Sequence, residues 1–260
     1  MADRELVQYE VDGHAARIWL NRPEKKNAFT LSMVGAMRDY FAEAQRDPDV
    51  RVIVFRGRGG TLCAGVDLSE VMASGEVSRD DHQPYLELCN TVAKSRKPTI
   101  AVIEGYLTGG GHSLVINFDF AIASTEAKLG DYYMRRGLIG AGNAYYWLPR
   151  IIGMRRAKSL ILTGRLLTGQ EAADWGLVTE AVPPQEVDHA VEQLIGELTD
   201  KSPLAMEIAK LSLDRSIDMD WETFQVMQEF SSDRIISLSH DAHEGISAFL
   251  EKRAPQFKGR

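Results

Sequence analysis

The chemistry open to this sequence begins with glycines. Gly109-Gly-Gly111 follows the apolar, β-branched run Thr99-Ile-Ala-Val-Ile103 and precedes an apolar stretch of helical length ending at Phe118. A strand, a glycine-rich turn and a helix start together aim backbone N–H groups outward. The first N–H groups of a helix have no internal acceptor, and the helix dipole places partial positive charge there. Glycine lets a ligand approach the backbone closely. A second unit of the same kind lies upstream: the strand pattern Val50–Phe55, the turn Gly57-Arg-Gly-Gly60, then Thr61-Leu-Cys-Ala-Gly-Val-Asp-Leu68, with Asp67 and Ser69 suited to a helix start. Two such units can bring two backbone donors onto one point, which is what a developing oxyanion requires. No metal-ligand spacing stands out, and the triplet fits neither a P-loop nor a dinucleotide fingerprint.

These turns need elements to hold them. Leu6–Glu10 and Ala15–Leu20 flank a Gly-containing turn and read as a β-hairpin. Asn21-Arg-Pro-Glu-Lys-Lys-Asn27 is a polar loop which, by itself, reads as solvated. Thr30 caps a helix to about Gln45, with Leu31, Val34, Met37 and Phe41 on one face. A polar loop over Met72–Asp81 precedes a helix to Ser95. Short strands are expected near 119–124, 127–130 and 177–182, with a polar-aromatic turn at Asp131–Gly137. Helices are expected after Gly142, over Arg155–Leu162 and over Thr168–Gly176. Beyond Pro183-Pro184 the pattern is helical, with starts near Gln185, Pro203, Asp220 and Asp241, the last with Glu244 at capping-box spacing. An α/β body over residues 1–195 and a helical region over 196–260 follow from this division.

The chain has 260 residues and a net charge of −7, with no long basic run, which argues against nucleic acid as a partner. No run of 18 apolar residues occurs, so no membrane span is expected. The opening Met1–Leu6 has no signal-peptide core. Cys63 and Cys89 are the two cysteines; without a secretory signal they point to reduced thiols and a cytoplasmic protein.

Taken together, Leu20–Ala28, Cys63–Leu68, Gly105 with Gly109–Gly111, Gly164–Val178 and Glu244–Arg253 resemble the crotonase, or enoyl-CoA hydratase/isomerase, superfamily, over nearly the whole chain. The resemblance implies a spiral of repeated ββα units with a C-terminal helical region that mediates trimerisation, and a homotrimer or dimer of trimers. It implies an acyl-CoA thioester as substrate, with coenzyme A arriving as part of that substrate and no cofactor or metal bound permanently. The thioester carbonyl would be held by the N–H groups of Val66 and Gly110. Arg22, Lys25 and Lys26 resemble the nucleotide-binding loop, Ala28, Ala64, Asp67 and Leu68 the adenine pocket, and Phe257 with Lys258 a C-terminal pair that reaches coenzyme A.

The sequence departs from the hydratases of that family where their two glutamates stand. Those positions are Ser113 and Tyr133. Neither is a carboxylate; tyrosine, with a reference pKa of about 10, donates hydrogen bonds more readily than it abstracts protons. The loop Leu138–Asn143, where other members carry an aspartate, has no acid. Asp131 is the nearest acid in sequence, and on an extended segment it would share a face with Tyr133. The expected chemistry is therefore enolate stabilisation without water addition: isomerisation, decarboxylation or C–C cleavage of a substituted acyl-CoA. The alternatives are a hydratase in which Asp131 supplies the missing acid, and a non-catalytic acyl-CoA-binding subunit. His112 reads as a packed histidine, and Tyr85, Asn143, Tyr145 and Tyr146 as candidates for the acyl wall.

Overall fold

The structure, a computed structural model, describes residues 6–73 and 79–260. Residues 74–78, within the polar loop expected over Met72–Asp81, lie outside the described residues. The chain forms two compact units. One runs to Ser95 and resumes over Thr99–Gln193; the other comprises Arg96–Pro98 and Leu194–Arg260.

The first unit opens with the hairpin β1 (Val7–Asp12) and β2 (Ala15–Leu20). The two-residue turn is possible because Gly13 takes a φ of +56°. Next come β3 (Val52–Gly57), β4 (Thr99–Ile103), β6 (Phe120–Ser124) and β9 (Glu180–Val182), all parallel to β2 in one six-stranded sheet of order β1-β2-β3-β4-β6-β9. Val52–Phe55 and every residue of β4 are buried. Continuous apolar runs of this kind suit parallel strands covered on both faces.

A second, shorter layer runs beside this sheet. It contains β5 (Tyr106–Thr108), β7 (Lys128–Gly130) parallel to it, and β8 (Leu167–Thr168) antiparallel to β7. Isolated bridges Phe29–Val66 and Cys63–Leu107 extend the layer upstream. Each turn of the chain therefore places one strand in the large sheet and one short piece in the second layer. The pairs are β2 with Phe29, β3 with Cys63–Val66, β4 with β5, and β6 with β7. Helices follow the short pieces: α1 (Leu31–Arg46), α2 (Leu68–Ala73) with α3 (Arg79–Ala93), α4 (Gly110–Val115), then α5 (Ala144–Ile152). This is a spiral of ββα turns.

Helix α1 starts as expected, with the Thr30 side chain accepting from Met33 N–H. Its buried stripe is Met33, Val34, Met37, Phe41 and Ala44, whereas Leu31 is 43% exposed. Side chains on a helix lean toward its N-terminus, so a residue in the first position projects past the surface the helix covers. Helices α6 (Met154–Thr163) and α7 (Gly169–Trp175) complete the turn that carries β8. Thr168 and Glu171 form a reciprocal capping box on α7, and Gly176 closes it in the left-handed region. Helix α8 (Val187–Thr199) follows β9.

The second unit contains α9 (Pro203–Ser216), α10 (Trp221–Phe230), a π turn over Ser231–Ile236 and α11 (His240–Glu251). Ser202, Asp220 and Ser239 cap the three helices through their side chains. The expected Asp241–Glu244 capping box is replaced by the Ser239 cap. The buried Asp241 carboxylate instead accepts from Ser202 Oγ, Lys258 N–H and Gly259 N–H, and Glu244 pairs with Arg253. A carboxylate that can gather three donors from distant parts of the chain, two backbone N–H groups and a hydroxyl, gains more than it would from one local cap.

Candidate active site

The site forms where the second layer meets the glycine turns. Phe29 N–H donates to the Gly65 carbonyl (2.9 Å), and Asp67 N–H donates to the Phe29 carbonyl (3.0 Å). In a parallel ladder the residue between those two partners turns its own N–H to the opposite side. Val66 N–H is thereby aimed away from Phe29. Gly109 precedes α4 with φ +54° and ψ −125°, which leaves Gly110 as the first helical residue. Among the described residues, neither Val66 N–H nor Gly110 N–H donates to a backbone carbonyl.

These two donors are neighbours. A Cβ placed on Gly65 would stand 3.2 Å from Gly110 N, and one on Gly110 would stand 3.0 Å from Val66 Cγ2 and from Phe29 Cζ. At Gly65 the Cβ would also stand 2.9 Å from the Thr108 carbonyl oxygen, so glycine is required there, whereas at Gly110 the crowding atoms are side-chain ends. Gly109 N–H donates to the Asp131 carbonyl (3.0 Å), and Thr108 Oγ1 donates to the Ala64 carbonyl (2.9 Å), which fixes one turn against the other. Gly65, Val66, Thr108, Gly109 and Gly110 line an open pocket of about 380 Å³. Tyr132 and Tyr133 form another part of its wall, and Leu68, Arg136 and Leu138 are its exposed members. A preorganised pair of this kind stabilises an oxyanion far better than water does, because it needs no reorientation as charge develops.

Tyr133 brings a hydroxyl close to the donors. Its hydroxyl would lie 3.5 Å from a Cβ on Gly110. Burial, and then the neighbouring Asp131, push the phenol well above its ordinary value, so it is a neutral donor. Ser113, one turn into α4, is fully buried, and its Oγ makes no hydrogen bond among the described residues. It lies near enough to the Tyr133 hydroxyl to offset a little of that rise. Asp131 is also fully buried, and its Oδ1 accepts from Tyr133 N–H (3.3 Å). The segment is not extended: Tyr132 sits at φ +61° and Tyr133 begins a 3-10 turn, so strand alternation does not place Asp131 and Tyr133 on one face. Asp131 lies under the Gly140 loop, its Oδ2 without a hydrogen-bond partner among the described residues and 2.9 Å from a Cβ on Gly140, and it does not line the pocket. Burial without a countercharge raises its carboxyl to about 6.

The polar loop 21–27 is a built structure. Asn27 is fully buried at φ +55°; its Oδ1 accepts from Arg22 N–H (2.7 Å), and its Nδ2 donates to the Arg58 (2.9 Å) and Thr61 (2.6 Å) carbonyls. Arg22 donates to the Ala28 carbonyl (3.0 Å) and to Asp67 (2.8 Å). Ser69 and Arg22 together hold the Asp67 carboxyl down at about 2. Ala64 N–H donates to the Lys26 carbonyl (2.9 Å), and Lys26 Nζ lies 4.3 Å from the centre of the Tyr106 ring. Lys25 and Lys26 are exposed, and Leu68 is 42% exposed on the pocket wall. Arg22, Lys25, Lys26, Ala28, Ala64, Asp67 and Leu68 are thus brought into one cluster next to the Val66 turn. Phe257 and Lys258 belong to the second unit, where Lys258 N–H binds Asp241 and Phe257 lies beside Gly245.

Five other residues have defined places. Tyr85 donates its hydroxyl to the Gly110 carbonyl (2.6 Å) and stacks on Phe29, so it supports the donor turn rather than the pocket wall. Tyr145 accepts from Gly140 N–H (2.8 Å), and Asn143 donates to Asn117 and Asn90, which pins the loop above Asp131. Burial pushes the Cys63 thiol up to about 12, which makes it inert as a nucleophile. His112 is 2% exposed, both ring nitrogens lack a hydrogen-bond partner among the described residues, and burial lowers it to about 4, so it is neutral. It borders a separate, mostly apolar cavity with Leu107 and Leu129, sharing no lining residue with the donor pocket. Leu107 and Thr108 are adjacent on β5, so the two cavities lie on opposite faces of that strand. Sequence reasoning missed three contributors: Phe29, Asn27 and Arg136. The signal for the last was a cation placed three residues after Tyr133.

Fold and site together bring two backbone N–H groups, from successive turns of a ββα spiral, to one pocket. Residues 10–260 match the model of the enoyl-CoA hydratase/isomerase family, to which the chain belongs. The enoyl-CoA hydratase domain-containing protein 2, mitochondrial, of Homo sapiens is 34% identical over 96% of this chain and 87% of its own. The 1,2-epoxyphenylacetyl-CoA isomerase of Escherichia coli K12 is 30% identical over 98% of this chain and 99% of its own. Among solved structures, the enoyl-CoA hydratase of Bacillus anthracis superposes with a TM-score of 0.91 at 30% identity, covering 98% of this chain and all of that one. The fold is the crotonase fold. No helix among the described residues is long and apolar enough to cross a membrane.

Proposed function

We propose that this chain is a lyase or isomerase that works through the enolate of a substituted acyl-CoA thioester. The observation that carries the reading is the convergence of Val66 and Gly110 N–H groups beneath a neutral phenol, with no carboxylate among the described residues that line the pocket. Coenzyme A is part of the substrate, seated beside the Arg22–Asp67 loop cluster. The two N–H groups take the charge that develops on the thioester oxygen, and Tyr133 delivers a proton to carbon. Ser113 stands near the Tyr133 hydroxyl and slightly offsets the rise that burial imposes on it. Water addition needs a base that draws a proton from water, and neither Ser113 nor Tyr133 is one. Loss of a carboxylate from the α-carbon needs only the oxyanion donors and a proton donor, so decarboxylation uses this pocket most directly. A second reading, isomerisation, is favoured by the Escherichia coli relative named 1,2-epoxyphenylacetyl-CoA isomerase and by Asp131, whose carboxyl burial raises to about 6.

Assembly as a homotrimer or dimer of trimers belongs to the same proposal and is read by light scattering. So does a reducing compartment such as the cytoplasm, with Cys63 and Cys89 as buried thiols. The test of activity is a panel of acyl-CoA thioesters in deuterated water, followed by NMR for deuterium at the α-carbon and for product, beside a crotonyl-CoA hydration assay. Deuterium incorporation or decarboxylation with slow hydration is expected. Rapid hydration of crotonyl-CoA would return the reading to a hydratase, and binding without any exchange to a non-catalytic acyl-CoA-binding subunit.

A further inference from the structure

The pocket that holds the two donors has a graded lining. Gly65 and Gly110 are buried, Val66 and Tyr133 are half-buried, and Leu68, Leu138 and Arg136 are exposed. The donors therefore mark the floor and these three residues the rim. Leu68 and Leu138, 42% and 45% exposed, give that rim an apolar character. Arg136 is its one charged member among the described residues. Its guanidinium lies over the Tyr132 ring, 4.9 Å from the centroid, and Tyr132 is held in the left-handed region at φ +61°. Its neighbour Arg135 donates to the Gly164 carbonyl (2.8 Å), but among the described residues Arg136 has neither a hydrogen bond nor an ion pair. An arginine stacked on an aromatic ring keeps its N–H fork in one plane, ready for a bidentate anion.

We propose that Arg136 is a specificity-determining residue that binds a carboxylate at the far end of the acyl group, so that the preferred substrates are acyl-CoA thioesters carrying an apolar stem and a terminal anion. The inference rests on the thioester reading of the pocket and adds the substrate class to it. The thioester oxygen sits on Val66 and Gly110, the stem runs past Tyr133 and Leu138, and the terminal carboxylate meets the guanidinium fork. A phosphate of coenzyme A presents similar chemistry, and the test separates the two.

Dissociation constants for coenzyme A, butyryl-CoA, succinyl-CoA, glutaryl-CoA and adipyl-CoA are measured by calorimetry on the full-length chain and on Arg136→Gln. These saturated thioesters carry no double bond to hydrate. At least one of the three carboxylated thioesters is expected to bind the native chain roughly tenfold more tightly than butyryl-CoA, the scale of a charge-assisted hydrogen bond that remains partly solvated. Arg136→Gln should erase that preference and leave butyryl-CoA unchanged. Arg136→Lys should restore part of it, since the charge returns without the planar fork. No preference in the native chain overturns the proposal. An equal loss for all five ligands in Arg136→Gln also overturns it, and assigns Arg136 to a phosphate. Failure of every ligand, butyryl-CoA included, to bind the native chain would instead strike the thioester reading itself.

Discussion

Gly65→Ala tests the two-donor arrangement most directly. Gly65 has φ +101°, and its added Cβ would stand 2.9 Å from the Thr108 carbonyl oxygen and 3.2 Å from Gly110 N. Both are backbone atoms, so neither can rotate away as a side-chain tip would. Relief requires the Gly109–Gly110 turn to recede by several tenths of an ångström from Val66, which stretches one of the two oxyanion bonds. The magnitude depends on the charge of the acceptor. A neutral thioester carbonyl loses about 0.5–1.5 kcal/mol with one hydrogen bond, so binding should weaken by roughly tenfold at most. An enolate oxygen loses about 2.7–4 kcal/mol with one donor, so turnover should fall by about 10²–10³. The carbonyl stretch of bound crotonyl-CoA, followed by Raman difference spectroscopy, reads the polarisation without knowledge of the reaction. It should move to lower frequency on the native chain and move back toward the free value on Gly65→Ala. Gly13→Ala is the control: it places alanine at φ +56° with nothing within 4 Å, so it should lower stability and leave the carbonyl shift intact. A folded Gly65→Ala chain that keeps both the shift and its turnover, within about threefold, would refute the convergence of Val66 and Gly110 on one oxygen.

Tyr133→Phe removes the proton donor but leaves the oxyanion pair, so turnover should fall by about 10²–10⁴ while thioester affinity persists; stopped-flow kinetics beside calorimetry decide it, and unchanged turnover removes Tyr133 from the mechanism. Asp131 titrates near 6 in the folded chain rather than near 3.8, so the folded state holds the extra proton and its stability, full below pH 4, declines as pH rises through 6. Asp131→Asn keeps the acceptor for Tyr133 N–H and should therefore be more stable than the native chain at pH 8, by on the order of 2 kcal/mol, with no advantage at pH 4; urea titrations at the two pH values that showed equal stability throughout would contradict a buried, uncompensated carboxyl. Arg22→Ala removes donors from the Ala28 carbonyl and from Asp67, and should lower stability by roughly 2 kcal/mol and weaken coenzyme A binding as well; a loss confined to binding would mean the arginine serves the ligand and not the loop.

Much of the frame was legible because it rests on local signals. Thr30, Ser202 and Asp220 cap helices where hydroxyl and carboxylate side chains precede apolar periodicity, and the β-branched runs at 52–55 and 99–103 form the buried parallel strands. Where the reading failed, distant partners decided. Asp241 has the sequence context of a cap, yet backbone N–H groups near the C-terminus claim its carboxylate. The loop at 21–27 reads as solvated because its composition is polar, but Asn27 is closed inside it by carbonyls from Arg58 and Thr61. Asp131 and Tyr133 look like same-face neighbours on a strand, a geometry that Tyr132 breaks by entering the left-handed region. The chemistry missing at Ser113 and Tyr133 could be read from residue type alone. The unused cation at Arg136 needed the pocket to show where it stands.

The donor pair also has a kinetic meaning. Val66 and Gly110 are held by bonds that join Phe29 to Gly65 and Asp67, Cys63 to Thr108, and Asp131 to Gly109, so four successive turns of the spiral must dock before the hole exists. No local segment can assemble it, and contacts of such sequence separation form late because loop closure must come first. Recovery of the thioester carbonyl shift during refolding therefore times the last docking of the spiral. It should trail the helical signal from α1, whose cap and buried stripe are encoded within its own residues.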